Sequence, residues 1–387
     1  MRDGMGDGRS MEQTAALDLH NRVTADELAQ MLRLQLETLA KEPALAKTLP
    51  PLMVWGAPGL GKSSILRQAA EERGIGFIDV RLAQREPVDI RGLPVPGEDG
   101  VKWLVSSDWP RDPKSRGIIL FDEITAADRS LQVAAYEFIL DRRLGDLYQV
   151  PDGWYICAAG NRTQDRAVSG TMSSALANRF LHVELGEDVE SWAQWARTHD
   201  VDPSLIGFLR FRPECLFRQD GENLERGWPS PRAWERVSCM LAVMKGQAEG
   251  LVRKMVYGLV GNRAGLEFME FRKLSESFAD VRQLMLDPRA EIEVPDRADL
   301  KYALCAAAAY HVWRGRDEKE SAAFLDGFYR LACALPSDFA SMLMLDAMAG
   351  TKLLPKSEAC GRLFRHPSYR EWAEKHGAAL RKHIEIA

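Results

Sequence analysis

The sequence predicts an α/β fold in which a parallel five-stranded sheet is flanked by helices and followed by further helical regions. Three observations predict it. A glycine-rich segment, Gly56 to Ser63, lies between an apolar run and a helical run. Short apolar runs then alternate with helical stretches as far as Leu185, which is typical of a parallel sheet buried on both faces. Beyond Leu185 the strand pattern ends and helical periodicity takes over.

The first predicted element is an amphipathic helix from Val23 to Leu39. Thr24 and Glu27 have the spacing of a capping box, and leucines at helical spacing form one apolar face. A second helix is predicted from Ser63 to Arg73. Five apolar runs predict the strands of the sheet: Leu52 to Trp55, Phe77 to Val80, Ile118 to Phe121, Trp154 to Ala158, and Leu181 to Leu185.

The stretch from Arg85 to Pro110 interrupts this alternation. It is rich in proline and glycine, and its one alternating segment, Val101 to Val105, predicts a short hairpin. Irregular excursions of this length are often functional. A proline-stiffened surface loop is the equally weighted alternative.

These patterns divide the 387 residues into four predicted regions. Residues 1–19 read as a flexible tail because glycines alternate with charges near its start. Residues 20–187 form the α/β domain, residues 188–275 a helical domain that would act as a lid, and residues 276–387 a helical C-terminal region.

Composition narrows the classes of function. The net charge of −5 provides no global basic field, which disfavours nucleic acid as an obligatory partner. The six cysteines are scattered without a metal-binding spacing, and they are consistent with a reducing cytoplasm. Apolar runs stay shorter than the roughly 18 residues that a membrane helix needs. We therefore expect a cytoplasmic protein without a membrane partner.

The glycine-rich segment fits the phosphate-binding P-loop pattern G-x-x-x-x-G-K-[ST]. In such a loop the backbone N–H groups close around phosphates, and the following helix adds a favourable dipole. Lys62 is expected to reach the β and γ phosphates of ATP, and Ser63 to ligand Mg²⁺. The predicted nucleotide-binding residues are Gly56, Ala57, Pro58, Gly59, Leu60, Gly61, Lys62, Ser63, Ser64 and Asp122.

Two acidic residues end the third predicted strand. Adjacent carboxylates at a strand tip are costly unless they face a metal ion or water. We expect Asp122 to hold the Mg²⁺ shell and Glu123 to polarise the attacking water. Asn161 follows the fourth strand, where it could position the same water with Glu123. In isolation, Asp122 and Glu123 could instead cap a helix, and Asn161 could be a turn residue.

Five segments in this order resemble the AAA+ superfamily of ATPases and, within it, the MoxR-type ATPases: GAPGLGKS, IILFDEI, AAGNR, ALANRF and SPRAWERVS. The resemblance covers about Leu28 to Leu259. It implies that Asn161 is the sensor 1 residue, that Arg179 is an arginine finger reaching the neighbouring subunit's nucleotide, and that Arg232 is sensor 2 in the lid. Without the resemblance, Arg179 could be a surface or salt-bridged arginine.

The resemblance further implies a homo-oligomeric ring, expected to be a hexamer, that remodels a protein client, including clients with a von Willebrand factor A domain. The loop Pro87 to Pro94 resembles the extra loop of MoxR-type proteins, which projects toward the pore or partner side. Two other functions stay open at this point. One is an ATP-binding switch or scaffold with little turnover, and the other is a nucleic-acid motor.

Overall fold

The computed structural model describes residues 21–98, 100–162, 172, 177–218, 227–278 and 280–386. The predicted tail, residues 1–19, lies outside these described residues. The chain divides into two compact units, Met1–Glu187 and Asp188–Ala387.

The first unit is built on a six-stranded parallel sheet with the order β1-β10-β2-β9-β6-β3. All five predicted strands are present in it. The sixth, β1, has two residues and was not predicted, because two residues cannot show a periodic pattern. The strands of the unit are β1 (Arg22–Val23), β2 (Leu52–Trp55), β3 (Gly76–Arg81), β4 (Leu93–Gly97), β5 (Gly100–Leu104), β6 (Gly117–Asp122), β7 (Arg143–Leu144), β8 (Tyr148–Gln149), β9 (Trp154–Gly160) and β10 (Leu181–Leu185).

The central strands are apolar because helices cover both of their faces. Every residue of β9 is buried, and β6 is buried up to its last residue, Asp122. Aromatic rings pack beside them: the ring centroids of Trp109 and Phe138 lie 4.4 Å apart, and those of Phe121 and Phe138 lie 5.4 Å apart. This core fixes the position of the strand ends that carry the polar residues.

Among the described residues, four helices accompany the sheet: α1 (Ala25–Lys41), α2 (Lys62–Glu71), α3 (Pro87–Arg91) and α4 (Arg129–Asp141). The capping box predicted at the start of α1 is confirmed. The Thr24 hydroxyl accepts from the Glu27 amide at 3.2 Å, and the Glu27 carboxylate accepts from the Thr24 amide at 2.8 Å. Four of the five leucines of α1 (Leu28, Leu32, Leu36 and Leu39) are buried, and Leu34 is exposed.

The excursion before β6 contains the predicted hairpin. Strands β4 and β5 pair antiparallel, with Leu93 opposite Leu104 and Gly97 opposite Gly100. Both strands are mostly exposed, including the side chains of Leu93, Val101, Trp103 and Leu104. The hairpin is separate from the six-stranded sheet.

The second unit is helical throughout its described residues. Its helices are α5 (Val189–Thr198), α6 (Pro203–Phe211), α7 (Pro231–Val243), α8 (Glu249–Val260), α9 (Asn262–Phe278), α10 (Val281–Leu286), α11 (Ala298–His311), α12 (Glu318–Ala334), α13 (Ser337–Met348), α14 (Lys356–Arg365) and α15 (Tyr369–Ile386). The boundary predicted between residues 275 and 276 falls inside α9. Helical periodicity on both sides of that point concealed the continuity of the helix.

A buried ionic cluster joins distant parts of this unit. The side chains of Arg210 and Asp346 are 3% and 1% exposed, and two hydrogen bonds of 2.5 Å and 2.9 Å connect them. Arg197 contacts the same carboxylate at 2.5 Å. Burial by itself would lower the pKa of Arg210, but the charges of Asp346 and Glu190 outweigh it and raise that pKa. The cluster therefore ties α5 and α6 to α13.

Within the described part of the chain, no helix combines the length and the apolar character needed to cross a bilayer. None of the six cysteines, all of which are described, is paired in a disulfide.

Candidate functional site

The P-loop connects the end of β2 to the start of α2. Gly59 and Gly61 have φ angles of 90° and 95°, a region that side chains with a Cβ rarely adopt. Gly61 is the N-cap residue directly before α2, so the amides of the first turn of α2 adjoin the loop. The backbone is therefore shaped to present N–H groups to an anion.

Lys62 folds back along this loop. Its side chain is almost fully buried, and its Nζ donates to the carbonyl oxygens of Gly56 at 2.6 Å and Ala57 at 3.1 Å. It also donates to Asn161 Oδ1 at 3.0 Å. A buried ammonium is stable only where acceptors surround it, and these three oxygens lie at the mouth of the loop.

Ser63 and Asp122 meet across two adjoining elements. The Ser63 hydroxyl at the start of α2 donates to Asp122 Oδ2 at 2.5 Å, while Asp122 Oδ1 accepts from the Glu123 amide at 2.9 Å. A hydroxyl and a carboxylate are oxygen ligands of the kind that Mg²⁺ prefers. No group of three or more His, Cys, Asp or Glu side chains suited to a metal occurs among the described residues, so any Mg²⁺ here would need further oxygens from a phosphate.

Glu123 follows Asp122 in a left-handed backbone conformation with a φ of 55°. For a residue with a side chain this conformation costs about 1–2 kcal/mol. Its carbonyl accepts from the Ala126 amide at 2.9 Å, and its side chain is exposed. Such local strain is characteristic of functional positions, and here it turns the chain directly after the buried strand β6.

Asn161 follows β9, whose last residue, Gly160, lies opposite Trp55 of β2 in the sheet register. Thr125 holds Asn161 in place. The Thr125 hydroxyl accepts from the Asn161 amide at 3.3 Å and is 3.5 Å from its carbonyl oxygen. No sequence pattern points to Thr125, because a threonine in a turn after a strand has no distinctive spacing.

Asp79 on β3 is a second residue that the sequence reasoning missed. Burial raises the pKa of Asp79, and the neighbouring charge of Asp122 raises it further, while Arg81 and Arg67 oppose the effect. Arg67 of α2 donates to its Oδ2 at 3.1 Å. Asp79 therefore belongs to the electrostatic surroundings of Asp122.

Arg179 lies outside this cluster, in a turn just before β10. The Phe180 amide donates to the Ala177 carbonyl at 3.3 Å and closes the turn, and the Arg179 side chain is exposed. Arg179 forms no ion pair with any of the residues that the structure describes. Arg162, whose role was open from the sequence, instead pairs with Glu184 of β10.

Arg232 belongs to the second unit. It is the second residue of α7, whose start is capped by the Ser230 hydroxyl accepting from the Ala233 amide at 3.2 Å, and its side chain is exposed. The structure thus brings together Lys62, Ser63, Asp122 and Asn161 around the P-loop. The roles of Arg179 and Arg232 remain predictions.

Comparison with known proteins gave distant similarities. No model of a protein family matches the chain. Midasin from Giardia intestinalis is 28% identical over 255 residues, which is 60% of this chain and 5% of that protein. The chain therefore spans a small fraction of the curated relative that it matches.

The chain also resembles solved structures at low sequence identity. The RuvB Holliday junction branch migration motor of Thermotoga maritima is 17% identical, with a TM-score of 0.35 over 66% of this chain and 74% of that one. NtrX from Brucella abortus in complex with ADP is 16% identical, with a TM-score of 0.34 over 84% of this chain and 68% of that one. These scores are low, so function is inferred below from the residues of the chain itself.

Proposed function

We propose that the chain is an ATP-hydrolysing AAA+ ATPase of the MoxR type, which works as an oligomeric ring and changes the conformation of a protein client. The observation that carries the ATPase part is the meeting of Lys62, Ser63, Asp122 and Asn161 at the carboxyl ends of β2, β6 and β9. In parallel sheets, ligands bind at this edge. The oligomer and the client rest on the sequence resemblance described above.

The P-loop residues Gly56 to Ser64 would hold the phosphates of ATP through backbone N–H groups, as the left-handed glycines permit. When ATP binds, Lys62 Nζ would donate to phosphate oxygens in place of the loop carbonyls. This change is favourable because a charge-assisted bond to an anion is stronger than one to a carbonyl. Ser63 and Asp122 would hold Mg²⁺, which when bound neutralises charge on the phosphates.

Glu123 would accept a proton from the attacking water. Its exposed carboxylate follows a strained turn at the end of β6, so it is free to face a bound phosphate. Asn161, whose position is set by Thr125 and Lys62, would orient that water. Arg179 would reach the phosphate bound by an adjacent subunit, and Arg232 would act from the helical lid.

An ATPase assay tests this proposal. We expect Glu123→Gln to lower the turnover rate by about 10²–10⁴-fold while ATP binding is retained, because the amide cannot accept the proton. Glu71→Gln, an exposed glutamate in α2, is the matched control and should hydrolyse ATP at the wild-type rate. Equal and negligible rates in all three proteins would contradict the proposal and favour an ATP-binding switch.

The client is tested by affinity capture with the Glu123→Gln variant held in ATP. A protein retained by that variant with ATP and released with ADP would identify the client, and a von Willebrand factor A domain in it would support the MoxR-type assignment. Turnover that rises with DNA and weakens steeply with salt would contradict a protein client and favour a nucleic-acid motor.

The unpaired cysteines support a cytoplasmic site of action.

A further inference from the structure

One histidine, His182, bonds both to the turn that carries Arg179 and to β2, the strand that precedes the P-loop. His182 lies on β10, and its Nε2 is 2.7 Å from the Ala177 carbonyl oxygen. Its Nδ1 accepts from the indole N–H of Trp55 at 2.8 Å. Ala177 begins the turn, and Trp55 directly precedes Gly56, the first residue of the P-loop.

These two contacts determine the state of the ring. An indole N–H can only donate, so Nδ1 of His182 carries no hydrogen, and the hydrogen on Nε2 is free to be donated to Ala177. The bonding partners of the two nitrogens thus indicate which one carries the hydrogen. His182 therefore has one defined tautomer, in which Nδ1 accepts and Nε2 donates.

The bond to Ala177 acts on the geometry of the turn. The same carbonyl accepts from the Phe180 amide at 3.3 Å, so one oxygen bonds both to His182 and to the amide that closes the turn around Asn178 and Arg179. The Phe180 side chain is buried in the core and anchors the other end. Arg179 is therefore presented from a turn that is held at both ends.

The bond to Trp55 connects that turn to the sheet. The rings of Trp55 and His182 are nearly parallel, with an interplanar angle of 17° and a centroid distance of 6.0 Å. Strands β2 and β10 are paired neighbours, with Met53 opposite His182 and Trp55 opposite Glu184. Trp55 therefore reaches His182 diagonally on one face of the sheet.

We propose that His182 is a positioning residue for Arg179: through its bond to Ala177 it holds the arginine turn in the orientation that reaches an adjacent subunit's nucleotide. This inference rests on the proposed function, in which Arg179 acts in trans. It differs from a purely structural role because the effect falls on hydrolysis in the neighbouring subunit and not on the subunit that contains His182.

Assemblies that mix two variant chains distinguish the subunit that supplies Arg179 from the subunit that hydrolyses ATP. A donor chain with Glu123→Gln offers Arg179 but cannot hydrolyse ATP, and an acceptor chain with Arg179→Ala retains Glu123 but offers no arginine. Each chain alone should be nearly inactive, and mixing them should restore turnover in acceptor sites that adjoin a donor. If mixing restores nothing, the trans role of Arg179 in the proposed function fails before His182 is tested.

His182 is then substituted in the donor chain. In His182→Gln the side-chain amide reaches as far as Nε2 and can still donate to Ala177, whereas in His182→Asn it reaches only as far as Nδ1. We expect the Gln donor to support turnover within about threefold of the unsubstituted donor, and the Asn donor to lower kcat by about ten- to a hundredfold through misplacement of the arginine. KM of the acceptor sites should stay unchanged.

The same His182→Asn substitution in the acceptor chain is the matched comparison. In the acceptor chain residue 179 is alanine, so the turn supplies no group to the transition state. Turnover should therefore change by less than about twofold. Equal losses in donor and acceptor would overturn the inference, because the effect would then lie in the chain's own P-loop. Equal losses for Gln and Asn donors would also overturn it.

Trp55→Phe in the donor provides a second variant in case His182→Asn unfolds. It keeps an aromatic ring beside His182 but removes the indole donor and part of the ring volume, so we expect a smaller loss of kcat, about two- to tenfold, because Nδ1 of His182 loses the donor that defines its tautomer. If a Trp55→Phe donor supports the full rate of turnover, Trp55 does not help to position Arg179 through His182.

Discussion

Ser63 Oγ and Asp122 Oδ2 lie 2.5 Å apart, although the two residues are 59 positions apart in the sequence. This contact places a hydroxyl and a carboxylate side by side at the mouth of the P-loop. Because both are oxygen ligands suited to Mg²⁺, we expect Asp122→Asn to raise the Mg²⁺ concentration for half-maximal ATPase activity by about tenfold or more. A magnesium titration of the ATPase rate measures this change.

Ser63→Ala should act on the same ion, so the double variant should lose less than the sum of the two single effects in free energy. Asp141→Asn, at the exposed end of α4, is the control and should leave the magnesium titration unchanged. An unaltered magnesium requirement in Asp122→Asn would show that this pair does not hold the ion.

Asn161 Oδ1 accepts a hydrogen bond from Lys62 Nζ at 3.0 Å. In Asn161→Asp, a carboxylate would lie about 3 Å from the Lys62 ammonium, where it would form an ion pair and repel the phosphates. We expect Asn161→Asp to weaken ATP binding by about tenfold more than Asn161→Ala, which removes the acceptor without adding charge. Isothermal titration calorimetry of both variants decides between this result and equal affinities.

Gly160 lies where a methyl group does not fit. A Cβ at this position would be 2.8 Å from both Met53 Cε and Thr125 Cγ2. We expect Gly160→Ala to displace Thr125 and Asn161, to lower the free energy of unfolding by about 1–3 kcal/mol, and to reduce kcat more than ATP affinity. Urea unfolding and steady-state kinetics measure the two effects.

Gly250→Ala is the control for that substitution, because a Cβ there meets no atom within 4 Å. It lies in helix α8, so alanine should be neutral or stabilise the protein by about 0.4–1 kcal/mol. Similar losses of stability in the two variants would contradict the steric explanation for Gly160.

Asp346 is the only carboxylate in contact with both Arg197 and Arg210 among the described ion pairs. Asp346→Asn would leave two buried guanidinium groups without their shared charge, and we expect a loss of about 3–5 kcal/mol in the free energy of unfolding. Glu249→Gln, which breaks the exposed pair with Arg253, should cost less than about 1 kcal/mol. Chemical denaturation followed by circular dichroism compares them.

We expect His311 to make the second unit sensitive to acid. Burial lowers the pKa of His311, and the positive charges of Arg282 and Arg314 lower it further, while Asp280 opposes them. The folded state therefore binds its proton less readily than the unfolded state, whose histidine has a pKa of about 6.5. The contribution of His311 to the free energy of unfolding is fully present above a pH of about 6.5, and it is lost as the pH falls toward the pKa of His311 in the folded state.

We expect the free energy of unfolding to fall more steeply in wild type than in His311→Gln between about pH 7.5 and pH 5.5, because only wild type gains a proton at this position on unfolding. Urea titrations at both pH values measure the difference. Parallel pH dependence in the two proteins would mean that His311 is not a source of acid sensitivity.

Much of the fold could be predicted because it depends on local patterns. Strands Leu52–Trp55 and Leu181–Leu185 begin and end where their apolar runs do, and the Thr24 cap begins its helix as the spacing indicates. The short strand Arg22–Val23 escaped prediction, since its pairing with β10 depends on a partner about 160 residues away and not on its own composition. The predicted boundary between residues 275 and 276 falls inside α9. Helical periodicity continues across that point, so the pattern did not show that a single helix spans it.

The sequence by itself determined the chemistry of the site: a phosphate loop, two acids at a strand end and an amide after the next strand. Only the tertiary structure decided that β2 lies between β9 and β10, which brings Lys62 to Asn161 and Trp55 to His182. Thr125 joined the site in the same way. The physical reason is that strand order and register arise from burial of the whole sheet, whereas sequence patterns report only on neighbours along the chain.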